Sequence, residues 1–162
     1  MVIEVIDTID VAPIVKEYER LKDCVEWVDN PRGKQSALQH LAGRPSYIDA
    51  CGRLDRNQYK EKDFCEINGI ITDSVLARII ENYKLYRTRF MIMKPKSCYT
   101  LHNDFDFRIH IPLITNSSAM FVFLKEGLFH LEVGKVYKVD TRKIHSFANF
   151  GLTDRLHLVG CV

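Results

Sequence analysis

The second half of the chain reads as strands and little else. After Tyr86, short runs rich in β-branched and aromatic residues follow one another: Arg89 to Met93, Arg108 to Leu113, Ala119 to Leu124, Leu128 to Val133, Lys135 to Val139, Ile144 to Asn149 and Arg155 to Val162. Each is bounded by Pro, Gly, Asn, Asp or Ser, the residues that end strands. So many short strands within about 75 residues imply a sandwich or a barrel, and the jelly roll is the economical form.

The first half is more varied. Met1 to Asp7 suits a short strand. From Asp10, the residues Val11, Ile14, Val15, Tyr18, Leu21, Val25 and Val28 recur at three- and four-residue steps, with Asp10 placed to cap and Pro13 tolerated in the first turn. That spacing predicts one amphipathic helix ending near Asn30. Pro31 to Thr72 shows no lasting period and carries several glycines, which points to short strands together with a functional loop. Thr72-Asp73-Ser74 then caps a second helix with Val75, Leu76, Ile79, Ile80 and Tyr83 on its face, ending by Tyr86. The expected fold is mainly β, a jelly roll with about two flanking helices. It forms a single domain over residues 1–162, in which 1–87 is a helical and irregular part covering the core and 88–162 is the β core that carries the site.

Composition excludes several classes. A chain of 162 residues can bury one real core. No apolar run approaches the 18 or so residues that span a membrane, and Met1 to Asp7 has no signal-peptide character, so a cytoplasmic protein with no membrane partner is expected. The five cysteines, Cys24, Cys51, Cys65, Cys98 and Cys161, are scattered without a CxxC pair, which argues against a disulfide framework or a zinc site. A net charge of +2 gives no sign of nucleic-acid binding. Residues 1–30 hold eight acidic and three basic side chains, and Pro31 to Asp63 is locally basic, a pattern that solvated surface explains.

Chemistry concentrates between His102 and Arg155. From Leu101 to Leu113 the odd positions 101, 105, 107, 109, 111 and 113 are apolar, and His102, Asp104, Asp106, Arg108 and His110 fall on even ones. In an extended chain those ionisable groups share one face. A water-facing side of an antiparallel sheet would also give this pattern. His145 and Arg155 shift the balance: His102, Asp104 and His145 have the distribution of a 2-His-1-carboxylate set for non-haem Fe(II), with Asp106 as the alternative carboxylate. Arg155 offers a planar guanidinium for the far carboxylate of a small dicarboxylic acid, and Arg108 is placed to assist. Tyr99 and His157 lie in sequence beside these groups and are candidate pocket residues. Substrate contacts are sought between Ser36 and Phe64, among Gln39, His40, Arg44, Tyr47, Arg53 and Arg56, because selectivity comes from elements laid over a core's mouth. An ordinary surface excursion is the competing reading. His130 reads as a satisfied strand histidine, Trp27 as packing, and Cys98 and Cys161 as small buried hydrophobes.

The segments Arg108-Ile109-His110-Ile111-Pro112-Leu113-Ile114-Thr115-Asn116, Val139-Asp140-Thr141, His145-Ser146-Phe147-Ala148-Asn149 and Asp154-Arg155-Leu156-His157-Leu158-Val159-Gly160 resemble the aspartyl/asparaginyl β-hydroxylase family, over roughly residues 88 to 161. The chain looks most similar to the family's short stand-alone phage members. The resemblance implies a double-stranded β-helix with Fe(II) on His102 and His145, and 2-oxoglutarate met by Arg108, His110 and Arg155. It also implies an enzyme that splits 2-oxoglutarate to succinate and carbon dioxide while inserting oxygen into a C–H bond, with ascorbate as a supporting reductant. The substrate would be an amino-acid residue of a protein or peptide, or a small amino-acid-like molecule. Two positions depart from the family's animal members, which lack the carboxylate that Asp104 offers and carry a serine near the cosubstrate where this chain has Met91. Two other functions stay open: a cupin-type dioxygenase or isomerase that uses His110 as a third histidine without 2-oxoglutarate, and a non-catalytic β-sandwich binding module.

Overall fold

A computed structural model describes residues 1–162. In chain order the elements are β1 (Ile3–Thr8), α1 (Ala12–Leu21), β2 (Val28–Asn30), β3 (Gly33–Ala37), β4 (Gln39–His40), β5 (Glu66–Ile67), α2 (Val75–Asn82), β6 (Tyr86–Met93), β7 (Ser97–Cys98), β8 (Arg108–Ile114), β9 (Ala119–Phe123), β10 (Gly127–His130), β11 (Lys135–Val139), β12 (His145–Asn149) and β13 (Arg155–Cys161). The strands form a seven-stranded sheet in the order β1-β11-β8-β13-β6-β3-β2, a four-stranded sheet β10-β9-β12-β7, and a small pair β4-β5. All pairings are antiparallel. The two larger sheets face each other as the jelly roll expected from the sequence. No helix is long and apolar enough to cross a membrane.

The boundary expected at residue 87 does not separate a cover from a core. β1, β2 and β3 are strands of the large sheet itself, with β1 at one edge and β2 at the other. α1 is also shorter than its apolar period suggests. Pro13 occupies the first turn, as expected, but the N-cap is Val11 and not Asp10, which accepts from the Ala12 amide at 2.9 Å from one residue further out, and the helix stops at Leu21. Trp27 then donates to the Lys22 carbonyl at 2.8 Å, and the chain turns back into β2. Val25 therefore reaches the same core from a turn, and Trp27 packs edge-on against Tyr18. α2 begins as expected, with the Ser74 hydroxyl accepting from the Leu76 amide at 3.1 Å.

The alternation in the large sheet sorts chemistry by face. In β6, β8 and β13 the residues Phe90, Ile92, Ile109, Ile111, Leu156 and Leu158 point outward and join Ile14, Leu21, Leu76 and Ile80 of the two helices in one apolar layer. Each such side chain contributes about 1.5–3 kcal/mol by leaving water. The opposite face carries Arg87, Arg89, Arg108, His110, Arg155 and His157, all buried. The polar face of the sheet is thus the interior of the roll, not the solvated side. Part of that interior is filled by a second apolar cluster that includes Phe121, Phe123, Phe147, Tyr137 and Val139. The remainder is a cavity.

Candidate active site

His102 and Asp104 lie on the irregular segment before β8, where only His102 pairs with another strand. The expected extended run from Leu101 is absent, and Leu101 and Phe105 are exposed. Backbone hydrogen bonds fix the segment instead. His102 and His145 exchange amide-to-carbonyl bonds of 2.9 and 2.8 Å, and the Asp104 amide donates to the Thr141 carbonyl at 2.8 Å. Thr141 in turn donates from its hydroxyl to the Asp106 carbonyl at 2.7 Å.

These contacts bring His102, Asp104 and His145 together, with one ligating atom from each lying within 4.8 Å of the others. Each imidazole has its Nδ1 on a backbone carbonyl, Thr100 at 2.8 Å for His102 and Lys143 at 2.9 Å for His145. A carbonyl only accepts, so Nδ1 carries the proton and Nε2 keeps its lone pair for a metal. Burial lowers the pKa of His145, which favours the neutral form a metal requires. Burial pushes the Asp104 carboxyl up, but the charge and hydrogen bond of Arg108, with His145 and His102 behind them, hold it below the usual range. Two free Nε2 atoms and one ionised carboxylate fit Fe(II) at one face. Asp106, the alternative carboxylate, is not part of this cluster.

The cluster opens on a cavity of about 1350 Å³ lined by Tyr99, Phe121, Phe147, His110, Arg155 and Met91, among others. Arg155 is 2% exposed and has no carboxylate partner. Its Nη1 reaches the Met91 carbonyl only at 3.5 Å, its Nη2 the Met93 sulfur at 3.9 Å, and its Nε has no partner. The guanidinium stacks 3.8 Å from the Phe147 ring centre. Burial lowers its pKa to about 10, and only Tyr99 opposes the shift. A buried, uncompensated cation beside a cavity calls for an anion. His110 lies in the same wall, and burial, Arg155 and Arg108 hold its pKa well below the usual histidine range.

Arg108, expected from the resemblance to meet the cosubstrate, has other partners. It donates to Asp104 at 3.1 Å, to Glu61 at 2.7 Å and to the Cys161 sulfur. Tyr99 and Arg53 line the cavity. Gln39, His40 and His157 do not. Gln39 is a buried tie that donates to the Leu85 and Cys65 carbonyls and accepts from the Thr88 amide. His40 turns to the Leu41 carbonyl at 2.7 Å. His157 lies fully buried behind the cavity wall, 3.4 Å from His110 and edge-on to Phe147. His130 is satisfied by the Ala119 carbonyl at 3.0 Å, and Cys161 is buried as expected, whereas Cys98 is exposed.

Sequence reasoning missed Glu61, Arg87 and Arg89. The alternation of Arg87, Arg89 and Met91 along β6 was a signal that could have found the two arginines; nothing local marks Glu61. The basic stretch read as solvated surface also has a place: Arg32, Arg53, Arg56, Lys60 and Lys62 line the cavity's outer part and form no ion pairs. Asn116 and Asn149, part of the conspicuous motifs, are braces. Asn116 donates to Asn149 at 3.1 Å, and Asn149 donates to the Met93 and Thr153 carbonyls at 3.1 and 2.9 Å.

A jelly roll with a His-x-Asp and a distant His at its mouth is the arrangement of non-haem Fe(II) oxygenases, and the buried arginine in the cavity behind suits an anionic cosubstrate. Solved structures agree on the fold. A 2OG-Fe(II) oxygenase family oxidoreductase from Burkholderia pseudomallei has a TM-score of 0.60 at 15% identity, covering 93% of this chain and 77% of that one. HygX from Streptomyces hygroscopicus, solved with nickel, 2-oxoglutarate and hygromycin B, gives 0.58 at 11% identity over 99% and 82%. The viral collagen prolyl hydroxylase vCPH from Paramecium Bursaria Chlorella virus-1, solved with 2-oxoglutarate, gives 0.57 at 13% identity over 99% and 95%. No curated protein sequence matches the chain. The aspartyl/asparaginyl β-hydroxylase family profile matches residues 13–161, and the chain belongs to that family. It is a 2-oxoglutarate- and Fe(II)-dependent hydroxylase.

Proposed function

We propose that His102, Asp104 and His145 hold Fe(II), that Arg155 binds the far carboxylate of 2-oxoglutarate with His110 beside it, and that the chain hydroxylates an amino-acid side chain of a protein or peptide, or a small amino-acid-like molecule. The observation that carries this reading is the buried Arg155 guanidinium, which lacks a carboxylate partner and lines the same cavity as the three ligating residues. Bound Fe(II) supplies the centre at which dioxygen is reduced as 2-oxoglutarate is oxidised to succinate and carbon dioxide.

The chain's own residues do the rest by placement. His102 and His145 present Nε2 because their Nδ1–H groups are spent on carbonyls. Arg155 and the neutral His110 orient the cosubstrate along the cavity, and Phe121 and Phe147 exclude water from its wall. His102 is exposed, so the cluster faces the open side, where substrate enters. There Arg53, Arg56 and Tyr59 from the segment before Phe64 stand opposite Leu101 and Phe105, with the Arg56 guanidinium 3.9 Å above the Phe105 ring centre. The unpaired cations of this rim favour a substrate bearing acidic groups.

The direct test is succinate formation by protein freed of metal and then supplied with Fe(II), ascorbate and 2-oxoglutarate. Succinate that depends on iron and is lost in His102→Ala and His145→Ala is expected. No succinate, together with no metal-dependent thermal shift by 2-oxoglutarate, contradicts the proposal.

A further inference from the structure

One side chain links the segment roofing the cavity to the metal cluster. Glu61 sits on a single 3-10 turn, Glu61–Asp63, and its Oε1 accepts from Arg87 at 2.8 Å and from Arg108 at 2.7 Å. Arg108 donates from Nε to Oδ2 of Asp104 at 3.1 Å. Positive and negative groups thus alternate from Arg87 through Glu61 and Arg108 to Asp104. Their side chains are 4%, 10%, 6% and 19% exposed, so water screens the attractions little.

The far end of this series is anchored at some cost. Arg87 has a left-handed φ of 52°, a conformation that costs a non-glycine residue on the order of 1 kcal/mol. It turns the guanidinium onto the roof, where Nε donates to the Ala50 carbonyl at 2.9 Å and Nη2 to the Gly52 carbonyl at 2.7 Å. Arg89, next on the same face of β6, has no such carboxylate and meets only Gln35 at 3.2 Å and the Ala50 carbonyl at 3.4 Å. Glu61 is therefore shared between Arg87 and Arg108, and Arg108 is the arginine that touches Asp104.

We propose that Glu61 is a positioning residue for the metal: by holding Arg108 it fixes the Asp104 carboxylate in the orientation from which it meets the cluster. The inference rests on the reading that His102, Asp104 and His145 bind a divalent metal. It gives Arg108 a role in holding a ligand, and it makes the roof segment part of the metal site. A hydrogen-bonded partner of a ligating carboxylate changes metal affinity about 10- to 100-fold.

The test is a double-substitution cycle read by Co(II) affinity, with the full chain titrated in the absence of 2-oxoglutarate and followed by Co(II) absorption. Glu61→Ala, one contact beyond the partner Arg108, is expected to weaken Co(II) at least about threefold when Asp104 is present. In an Asp104→Ala background it should change affinity by less than about twofold, because the coupled partner is gone. Glu61→Gln keeps the oxygen acceptor and should fall between, and it takes the place of Glu61→Ala in the cycle if the metal-free alanine variant melts early. Equal loss in both backgrounds would mean that Glu61 only ties the roof and overturns the inference, as does unchanged affinity with Asp104 present. Wild-type protein that binds no Co(II), or binding that survives His102→Ala, defeats the metal reading itself and this inference with it.

Discussion

Arg155 carries the most consequence of any single residue. A guanidinium buried without a carboxylate destabilises the empty fold, and it is retained where an incoming anion pairs with it. Arg155→Met should leave the thermal midpoint of the metal-free protein no lower than wild type. The same variant should weaken 2-oxoglutarate roughly 10- to 100-fold, since hydrogen bonds between charged groups contribute about 1.5–3 kcal/mol. Calorimetric titration and a melting curve on one sample check both. His157 supports a pH prediction. It is fully buried and neutral, its pKa held well below the usual value by burial, Arg155, His110 and His130. The unfolded chain takes up that proton near pH 6.5, so the stability His157 contributes is present above about pH 6.5 and is lost as pH falls. Denaturant unfolding of metal-free protein from about pH 7.5 down to about pH 5 should show this decline, and His157→Gln should make it shallower. A slope unchanged by the substitution contradicts the assignment.

At the scale of elements, strands β6, β8 and β13 show what a sequence reveals and what it withholds. Their period-two alternation was legible, and so were the candidate ligands His102, Asp104 and His145, which the structure brings together, and Arg155, whose buried side chain lines the same cavity. Alternation alone does not say which face looks inward. Polar residues on every second position suit a water-facing sheet equally well, and only closure into a roll turned Arg108, His110 and His157 to the interior. The helical period of α1 overran for a similar reason: Val25 and Val28 are apolar because the core lies beside them, in whatever backbone conformation they reach it. β4 and β5 span two residues each, too short to display a period, and Glu61 lies between them in a turn whose partners are 26 and 47 residues away. Gly33 in β3 tests the sheet directly. A Cβ at that position would collide with the Ile92 carbonyl of β6. Gly33→Ala should cost about 1–3 kcal/mol by forcing the strands apart, measured by denaturant unfolding. Ser74→Ala, which removes the cap of α2, should cost about 1 kcal/mol.

The whole molecule is layered by function. Two helices and the outer face of the large sheet form an apolar slab that needs no metal, and the inner face joins the second sheet around a charged cavity. Stability and chemistry are therefore partly separable. Removing metal with a chelator should lower the thermal midpoint of the metal-loaded protein without unfolding it at room temperature, because a ligand that binds only the native state adds stability according to its concentration and affinity. Family membership extends over residues 13–161, so β2 and β3 of the first half belong to the same machine as the motif-bearing second half. On the proposed reading, one cavity holds Fe(II) on His102, Asp104 and His145 and 2-oxoglutarate on Arg155. Titration of 2-oxoglutarate into the anaerobic Fe(II)-loaded protein, followed by the visible charge-transfer absorption of a 2-oxo acid chelated to ferrous iron, tests it most directly. A saturable band is expected for the wild type, absent in His145→Ala and requiring far more 2-oxoglutarate in Arg155→Gln. No band in the wild type, or the same saturation curve in Arg155→Gln, would contradict it.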